Sequence, residues 1–327
     1  MSDFISYYPF FNEYPNLLSL PNNFFQSRFE PGFLLYTATF KIICTDYFCW
    51  VAFNTLIDLL VLAWFFHRYC KSMILPLIFF IAFNGLLMEF NLYRNMKAID
   101  CFLLSIPYLQ KKRWAPYFGL NIIGFIFHSS SILYLPLYFI LNAKVSKLLI
   151  WSSFIVSNII FLSNIQIISN LINNLSFIEA LNLYDQISSY GENAEQVRFS
   201  LGYVERTISF ILFSILYNRL TNNNKIYYIF FNAFLLYYCC FLIFYEVRVL
   251  VERIPYLFMF SYWVLYPAIL NLHFRWIPVI RIFTSFLVIL KIYSSFNMKS
   301  AMYHNILFSN PDYEKSKSIV LDDLNNR

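Results

Sequence analysis

The sequence has few charged residues. Aspartate, glutamate, lysine and arginine make up 13% of the 327 residues, whereas soluble domains carry about 25%. Apolar residues make up 59% of the chain, and the mean hydropathy is +0.56. So little charge does not cover the surface of a soluble protein of this size. The composition therefore predicts an all-α membrane protein that crosses the bilayer several times and has no soluble domain.

Motifs of nucleotide and metal chemistry are absent as well. The chain has six glycines and no G-x-G-x-x-G or G-x-x-x-x-G-K-[ST] pattern, so no nucleotide-phosphate loop is indicated. The six cysteines lack C-x-x-C spacing, and the four histidines lack H-E-x-x-H or H-x-x-x-H spacing. We therefore predict no metal ion and no cofactor. The net charge of +6 is not concentrated in a basic domain, so no nucleic-acid binding is expected.

Apolar stretches predict the positions of the membrane helices. Seven are long enough to span a bilayer, at about 47–66, 73–90, 147–168, 203–219, 225–246, 254–273 and 276–297. Residues 31–45 and 95–109 are shorter, and we expect the former to lie in the interface or to re-enter. Residues 114–142 would measure roughly 44 Å as one helix, so we expect two short helices that turn near His128. This gives about nine to eleven transmembrane or re-entrant helices.

The charges in the connections predict the orientation. Basic connections without acidic residues are expected in the cytoplasm; they lie around 67–71, 111–113, 144–147, 219–225 and 275–281. Connections that contain acidic residues are expected outside; they lie at 1–30, 89–100, 169–202 and 246–253. We thus predict a single membrane domain over 1–297, with an outer segment at 1–30 and a large outer loop at 169–202. A polar tail follows at 298–327.

Arg94 is the first candidate for function at the predicted outer face, because ionisable groups at membrane depth are costly. Its guanidinium fork binds a phosphate or a carboxylate through two hydrogen bonds. Alternatively, Arg94 snorkels toward water or forms a structural pair with Glu89 or Asp100. His128 is a candidate general base, or a donor to an anionic leaving group, and its alternative is a polar turn.

Three further residues are candidates at the same face. Arg248 and Arg253 flank Glu252, which neutralises one of them and leaves the other for a ligand. Glu30 precedes Pro31 and is typical of an acidic residue that is stabilised at a helix N-terminus. A lipid-linked diphosphate would suit such a group of cations, although anion transporters have similar sites.

Several motifs occur in a defined order. Arg94 is followed in the next turn by Ala98, then by a short basic link, and then by Phe127, His128 and Pro136. This order resembles the EpsG family of Wzy-type polysaccharide polymerases, whose helix after the link carries Phe-His-x-Ser-Ala-x-x-x-x-Pro. The family's usual glutamine after the arginine is Asn95 here, and Ser130-Ser131 stand near the usual Ser-Ala. Weaker similarities lie at Glu30–Phe33, in the loop from Tyr184 to Gly202, and from Arg253 onward.

The resemblance implies a GT-C-like, metal-independent glycosyltransferase at the outer face of the bacterial cytoplasmic membrane. Such an enzyme transfers a growing glycan from undecaprenyl diphosphate to a lipid-linked repeat unit of an O-antigen, capsule or exopolysaccharide. Its implied partners are these glycan substrates, membrane lipid and a chain-length regulator. Family members begin with an apolar helix and then a Gly-x-Asp-Tyr segment. This chain begins near that segment, at Asp3 and Tyr7, so the first family helix is expected to be absent.

The resemblance also implies residue roles. Arg94 and Arg253 are expected to bind the diphosphate, with Arg248 as a weaker third contact. His128 is expected to act as the base or to orient the acceptor, with Glu30 and Asp3 as rival catalytic residues. Two tyrosines of the outer loop are expected to hold sugar, namely Tyr184 and Tyr190.

Other functions are left open. A flippase or another transporter of lipid-linked glycans would show repeated halves and charges along a path through both leaflets, and the sequence shows no internal repeat. An oligosaccharide ligase would use the same cations with a different acceptor. A structural scaffold would make the ordered matches accidental.

Overall fold

The computed structural model describes residues 4–19, 29–167, 170, 200–296, 313–315, 317–318 and 321. At residues 248, 249, 252, 295 and 296 it describes the backbone alone. All regular elements in these ranges are helical, which confirms the predicted all-α class. The chain forms two compact units, one of Met1–Tyr138 with Tyr266–Arg327 and one of Phe139–Leu265. The single membrane domain over 1–297 stays a prediction.

The α-helices are, in chain order, α1 (Phe4–Glu13), α2 (Pro31–Ile43), α3 (Tyr47–Tyr69), α4 (Ile74–Ala82), α5 (Gly85–Asn91), α6 (Tyr93–Gln110), α7 (Trp114–Phe127), α8 (Leu137–Ile140), α9 (Lys147–Leu162), α10 (Leu201–Asn223), α11 (Tyr227–Ile243), α12 (Arg248–Arg253), α13 (Phe260–Leu270) and α14 (Ile277–Phe296). Among the described residues, three 3₁₀ turns lie between helices, at Leu17–Ser19, Ser129–Tyr134 and Pro255–Phe258.

Two helices of the first unit, α3 and α14, are each long and apolar enough to cross a membrane. They correspond to the predicted spans at 47–66 and 276–297. Within the described part of the chain, a third span would require α4 and α5 together, and these meet at an angle of 65°. Asn84 joins them with a φ of 59°, a left-handed conformation that asparagine tolerates. The span predicted at 73–90 is therefore sharply bent.

The reversal predicted at His128 is observed. Helix α7 ends at Phe127, and a 3₁₀ turn begins at Ser129. Tyr117 donates its hydroxyl hydrogen to the carbonyl of Tyr134, and Tyr138 donates to the carbonyl of Lys112 at 2.7 Å. Tyr117 lies in the first turns of α7 and Lys112 lies just before this helix, so the chain after His128 runs back along it.

Aromatic rings fill the interior beside α1, α2, α3 and α6. Trp50 is fully buried, and its ring contacts Tyr7, Phe11, Phe33 and Tyr93 at centroid distances of 6.4, 5.4, 5.8 and 5.3 Å. Tilted and edge-on contacts of this kind suit the charge distribution of aromatic rings. The cluster fixes the position of Tyr7, whose hydroxyl reaches the candidate site.

In the second unit, buried polar side chains hold helices to a loop and to one another. Asn232 of α11 donates to the carbonyls of Leu141 and Ala143, both at 2.8 Å. Asn158 of α9 contacts the hydroxyls of Tyr203 and Tyr238 at 2.7 and 2.9 Å. These bonds satisfy groups that apolar surroundings would otherwise leave unpaired.

The close approach of α6 and α7 predicts a strong size limit at Gly124. A Cβ there would lie 3.3 Å from the carbonyl oxygen of Ala98 and from Cβ of Cys101, whereas a Cβ at Gly119 would meet nothing within 4 Å. Gly124→Leu should cost about 1–3 kcal/mol of stability through overpacking, and Gly119→Leu should not destabilise. Thermal unfolding of the detergent-purified variants tests this. Equal loss of stability in both variants would contradict the packing.

Candidate functional site

Arg94 lies near the beginning of α6 and is held there by two neighbours. Its Nε donates to the hydroxyl of Tyr7 at 2.9 Å, and its Nη1 donates to the carboxylate of Glu30. The guanidinium carbon also lies 4.8 Å from the ring centre of Phe29. The structure therefore pairs Arg94 with Glu30, and the alternative that it pairs with Glu89 or Asp100 is wrong.

Arg94 keeps capacity for a ligand. A guanidinium has five N–H donors, and within the described part of the chain only Tyr7 and Glu30 accept hydrogen bonds from it. Its side chain is 20% exposed, so it is oriented by protein contacts yet open to a ligand. An arginine fixed in this way binds a phosphate or carboxylate with little further ordering.

Glu30 stands at the predicted N-terminus of α2, but its side chain makes no bond to that helix. Its Oε1 accepts from the backbone N–H of Ser129 at 3.2 Å, and its Oε2 accepts from Arg94. Burial raises the pKa of the Glu30 carboxyl, but the charge of Arg94 and the accepted hydrogen bonds outweigh it, and the pKa lies below the ordinary value of 4.5. Glu30 is therefore ionised at neutral pH.

His128 directly follows the last residue of α7. Its neighbours in the sequence connect it to Glu30 and to Asn95. Its Nδ1 accepts from the backbone N–H of Ser130 at 3.1 Å and lies 2.9 Å from that serine's Oγ. Ser130 Oγ in turn donates to Oδ1 of Asn95, the residue after Arg94, at 3.3 Å. Because Nδ1 accepts an amide hydrogen, these contacts favour the neutral tautomer with its hydrogen on Nε2.

The structure thus brings together three of the predicted site residues: Arg94, Glu30 and His128. Arg248 and Arg253 belong to the second unit. Arg248 begins the six-residue helix α12, and Arg253 ends it. Arg253 is exposed, and the side chain of Arg248 lies outside the described residues. Asp3, Tyr184 and Tyr190 also lie outside the described residues.

Sequence reasoning did not identify Tyr7 or Asn95 as site residues. Tyr7 lies 87 positions from Arg94, so no local pattern links the two. Asn95 could have been identified from the sequence, because it stands directly after Arg94, where the EpsG family usually has a glutamine.

A second ordered arginine, Arg206, was also missed. Its guanidinium carbon lies 4.0 Å from the ring centre of Phe241, and its Nε donates to the hydroxyl of Tyr237 at 2.8 Å. A Cβ on Gly202 would lie 2.6 Å from Nη1 of this arginine. A glycine four residues before an arginine, directly after the long loop, is the signal that could have found it.

The contact between Glu30 and Arg94 predicts a pH-dependent stability. Glu30→Gln should lower the melting temperature by a few degrees at neutral pH, since it leaves Arg94 without its counter-charge. Folding lowers the pKa of Glu30. The stability that Glu30 contributes is therefore complete when the pH is above the ordinary pKa of 4.5. It is lost as the pH falls through the lowered folded value.

Melting curves of the wild type and of Glu30→Gln, measured from pH 7 down to pH 3, test this. The difference between the two proteins should shrink toward the acid end. A difference that stays constant over the whole range would contradict an ionised Glu30.

Comparison with known proteins gives one positive result. The model of the EpsG family matches residues 1–309, nearly the whole chain. No curated protein and no solved structure matches the chain. The match agrees with the order of Arg94, His128 and Pro136 and with the long apolar helices. The chain therefore belongs to the EpsG family, and it is a membrane protein of the polysaccharide-polymerase type.

Proposed function

We propose that this protein is a glycosyltransferase of the bacterial cytoplasmic membrane that polymerises undecaprenyl-diphosphate-linked repeat units into a surface polysaccharide. The reaction would take place at the outer face of that membrane. The observation that carries the proposal is Arg94, a part-buried cation that Tyr7 and Glu30 orient and that retains donors for an anion. The leaving group of this reaction, a lipid diphosphate, is such an anion.

In the proposed reaction, a hydroxyl of the acceptor sugar attacks the anomeric carbon of the donor glycan. A new glycosidic bond forms while the bond from that carbon to the diphosphate breaks, and undecaprenyl diphosphate leaves with the electron pair. Negative charge grows on the departing diphosphate, so a cation fixed beside it lowers the barrier. Arg94 has this role, and Arg253 and Arg248 are proposed as further contacts to diphosphate.

The proton of the attacking hydroxyl needs an acceptor. His128 with its hydrogen on Nε2 is better suited to donate a hydrogen bond than to act as this base, because its Nδ1 already accepts from Ser130. Glu30 is ionised but bonded to Arg94 and Ser129, which favours a positioning role. Asp3 remains a proposed base. Tyr184 and Tyr190 are proposed to stack on the sugars, and a chain-length regulator is the proposed protein partner.

The role of Arg94 predicts a defined loss of polymer. In a strain deleted for the gene, Arg94→Ala should fail to restore the polysaccharide ladder and leave a single repeat unit, since one fixed donor to a developing anion contributes about 10²–10³-fold in rate. Arg94→Lys should restore the ladder in part, because lysine keeps the charge and loses the fork. Gel analysis of the surface polysaccharide provides the measurement.

Arg68→Ala is the matched control, because Arg68 is an exposed arginine at the predicted cytoplasmic end of α3. It should restore the full ladder at equal protein level. A full ladder with Arg94→Ala would remove Arg94 from the mechanism. A ladder unchanged by the deletion would overturn the polymerase proposal, and loss of the single-repeat band on deletion would favour a flippase or a ligase.

A further inference from the structure

Four ionisable side chains are buried together in the first unit, away from the contacts of the proposed reaction. Asp58 comes from α3, Glu89 from α5, and Lys97 and Asp100 from α6. Their exposed fractions are 0, 1, 5 and 4%. Asp58 lies near the middle of α3, a helix long and apolar enough to cross the membrane. Ionisable groups in such a place need a physical explanation.

The one cation of this cluster already has its partners. Lys97 donates from Nζ to the carboxylate of Asp58 and to the backbone carbonyl of Asn54, the latter at 3.0 Å. One positive and one negative charge therefore compensate each other. Glu89 and Asp100 have no second cation of this kind among the described groups that interact with them.

The carboxyls of Glu89 and Asp100 each lie within hydrogen-bonding reach of the Asp58 carboxyl. Across the described residues, no N–H or O–H donor reaches any of their four oxygens, and Oδ2 of Asp58 has no donor either. An ionised carboxylate only accepts hydrogen bonds. Two carboxyls in contact therefore require a hydrogen on one of them.

Charge leads to the same conclusion. Three ionised carboxylates and one ammonium would leave a net charge of −2 in apolar surroundings, where unpaired charge is strongly disfavoured. The other titratable groups that interact with the cluster are neutral at pH 7 and cannot offset it; they are Tyr36 of α2, Cys101 of α6 and Tyr134 of the 3₁₀ turn. The described His, Cys, Asp and Glu side chains also form no group of three arranged to hold a metal ion.

We propose that Glu89 and Asp100 form a proton-binding site inside the first unit. Both carboxyls are protonated at neutral pH and donate hydrogen bonds toward the carboxylate of Asp58, which pairs with Lys97. The site binds two protons, and the cluster becomes a neutral hydrogen-bonded group that joins α3, α5 and α6. Because α6 also carries Arg94, proton occupancy here governs the packing of the helix that presents this arginine.

The proposal predicts a decline of stability with rising pH. In the unfolded chain both acids dissociate above about pH 4, whereas the folded chain keeps two protons, so unfolding releases up to two protons. Stability then falls as the pH rises over the range in which the folded site stays occupied. Glu89→Gln with Asp100→Asn keeps the shape and the donors of the protonated acids, and should remove this decline.

Asp58 and Lys97, the two charged members of the cluster, should respond differently from Glu89 and Asp100. Asp58→Asn should lower the melting temperature at pH 7, because it leaves the ammonium of Lys97 buried without a counter-charge. Lys97→Met should also lower the melting temperature, because it leaves the carboxylate of Asp58 buried without a counter-charge. The double variant Asp58→Asn with Lys97→Met should lose less than the sum of the two single changes. Purified protein in lipid nanodiscs, melted from pH 5 to pH 9, gives these values.

Infrared spectroscopy of the wild-type protein decides the proposal even where a variant fails to fold. A carbonyl stretching band of protonated carboxylic acid should be present at pH 7 and should be lost in the Glu89→Gln, Asp100→Asn variant. No such band at pH 7 would overturn the proposal. Stabilisation of the wild type by sodium at fixed pH, absent in that variant, would assign the site to a monovalent cation and overturn it as well. Neither measurement uses polysaccharide, so each outcome is independent of the proposed function.

Discussion

The contact between Arg94 and Glu30 joins parts of the first unit that are far apart in the sequence. It ties the beginning of α6 to the beginning of α2, and the second oxygen of Glu30 extends it to Ser129 after the reversal of the chain. Removing one member of such a part-buried pair leaves the other charge poorly solvated. The positions of His128 and Asn95 depend on the same contact, because the serine next to Ser129 bonds to both. The proposed catalytic geometry and the assembly of the helices therefore share one pair of charges.

Aromatic rings perform in this protein the packing that small residues perform in many membrane proteins. Helices in lipid often approach closely through glycine and alanine faces, but this chain has six glycines in 327 residues and 71 aromatic residues, counting 39 Phe, 26 Tyr and 6 Trp. The rings around Trp50 fill the resulting space between α1, α2, α3 and α6. Close approach is confined to a few places, such as Gly124 against Ala98.

The sequence predicted the elements better than their contacts. Apolar length predicted α3 and α14, because a bilayer imposes a minimum length that composition reveals. The length of 114–142 likewise predicted the reversal at His128. Pairing was not predictable in this way: Glu89 and Asp100 were weighed as partners of Arg94, but Glu30, 64 positions away, is its partner. Charge complementarity alone does not choose among several acids, since the choice depends on how helices distant in sequence pack.

The shortness of α7 has a consequence for the surrounding lipid. Its 14 residues measure about 21 Å, well below the roughly 30 Å of bilayer hydrocarbon. Yet Ile122, Ile123, Phe125 and Ile126 expose apolar surface on it. A bilayer meets a hydrophobic element that is too short by thinning around it. Such thinning would draw headgroups and water inward on the side where the chain reverses. For the proposed function, such thinning would shorten the distance that a lipid-linked diphosphate travels out of the headgroup layer.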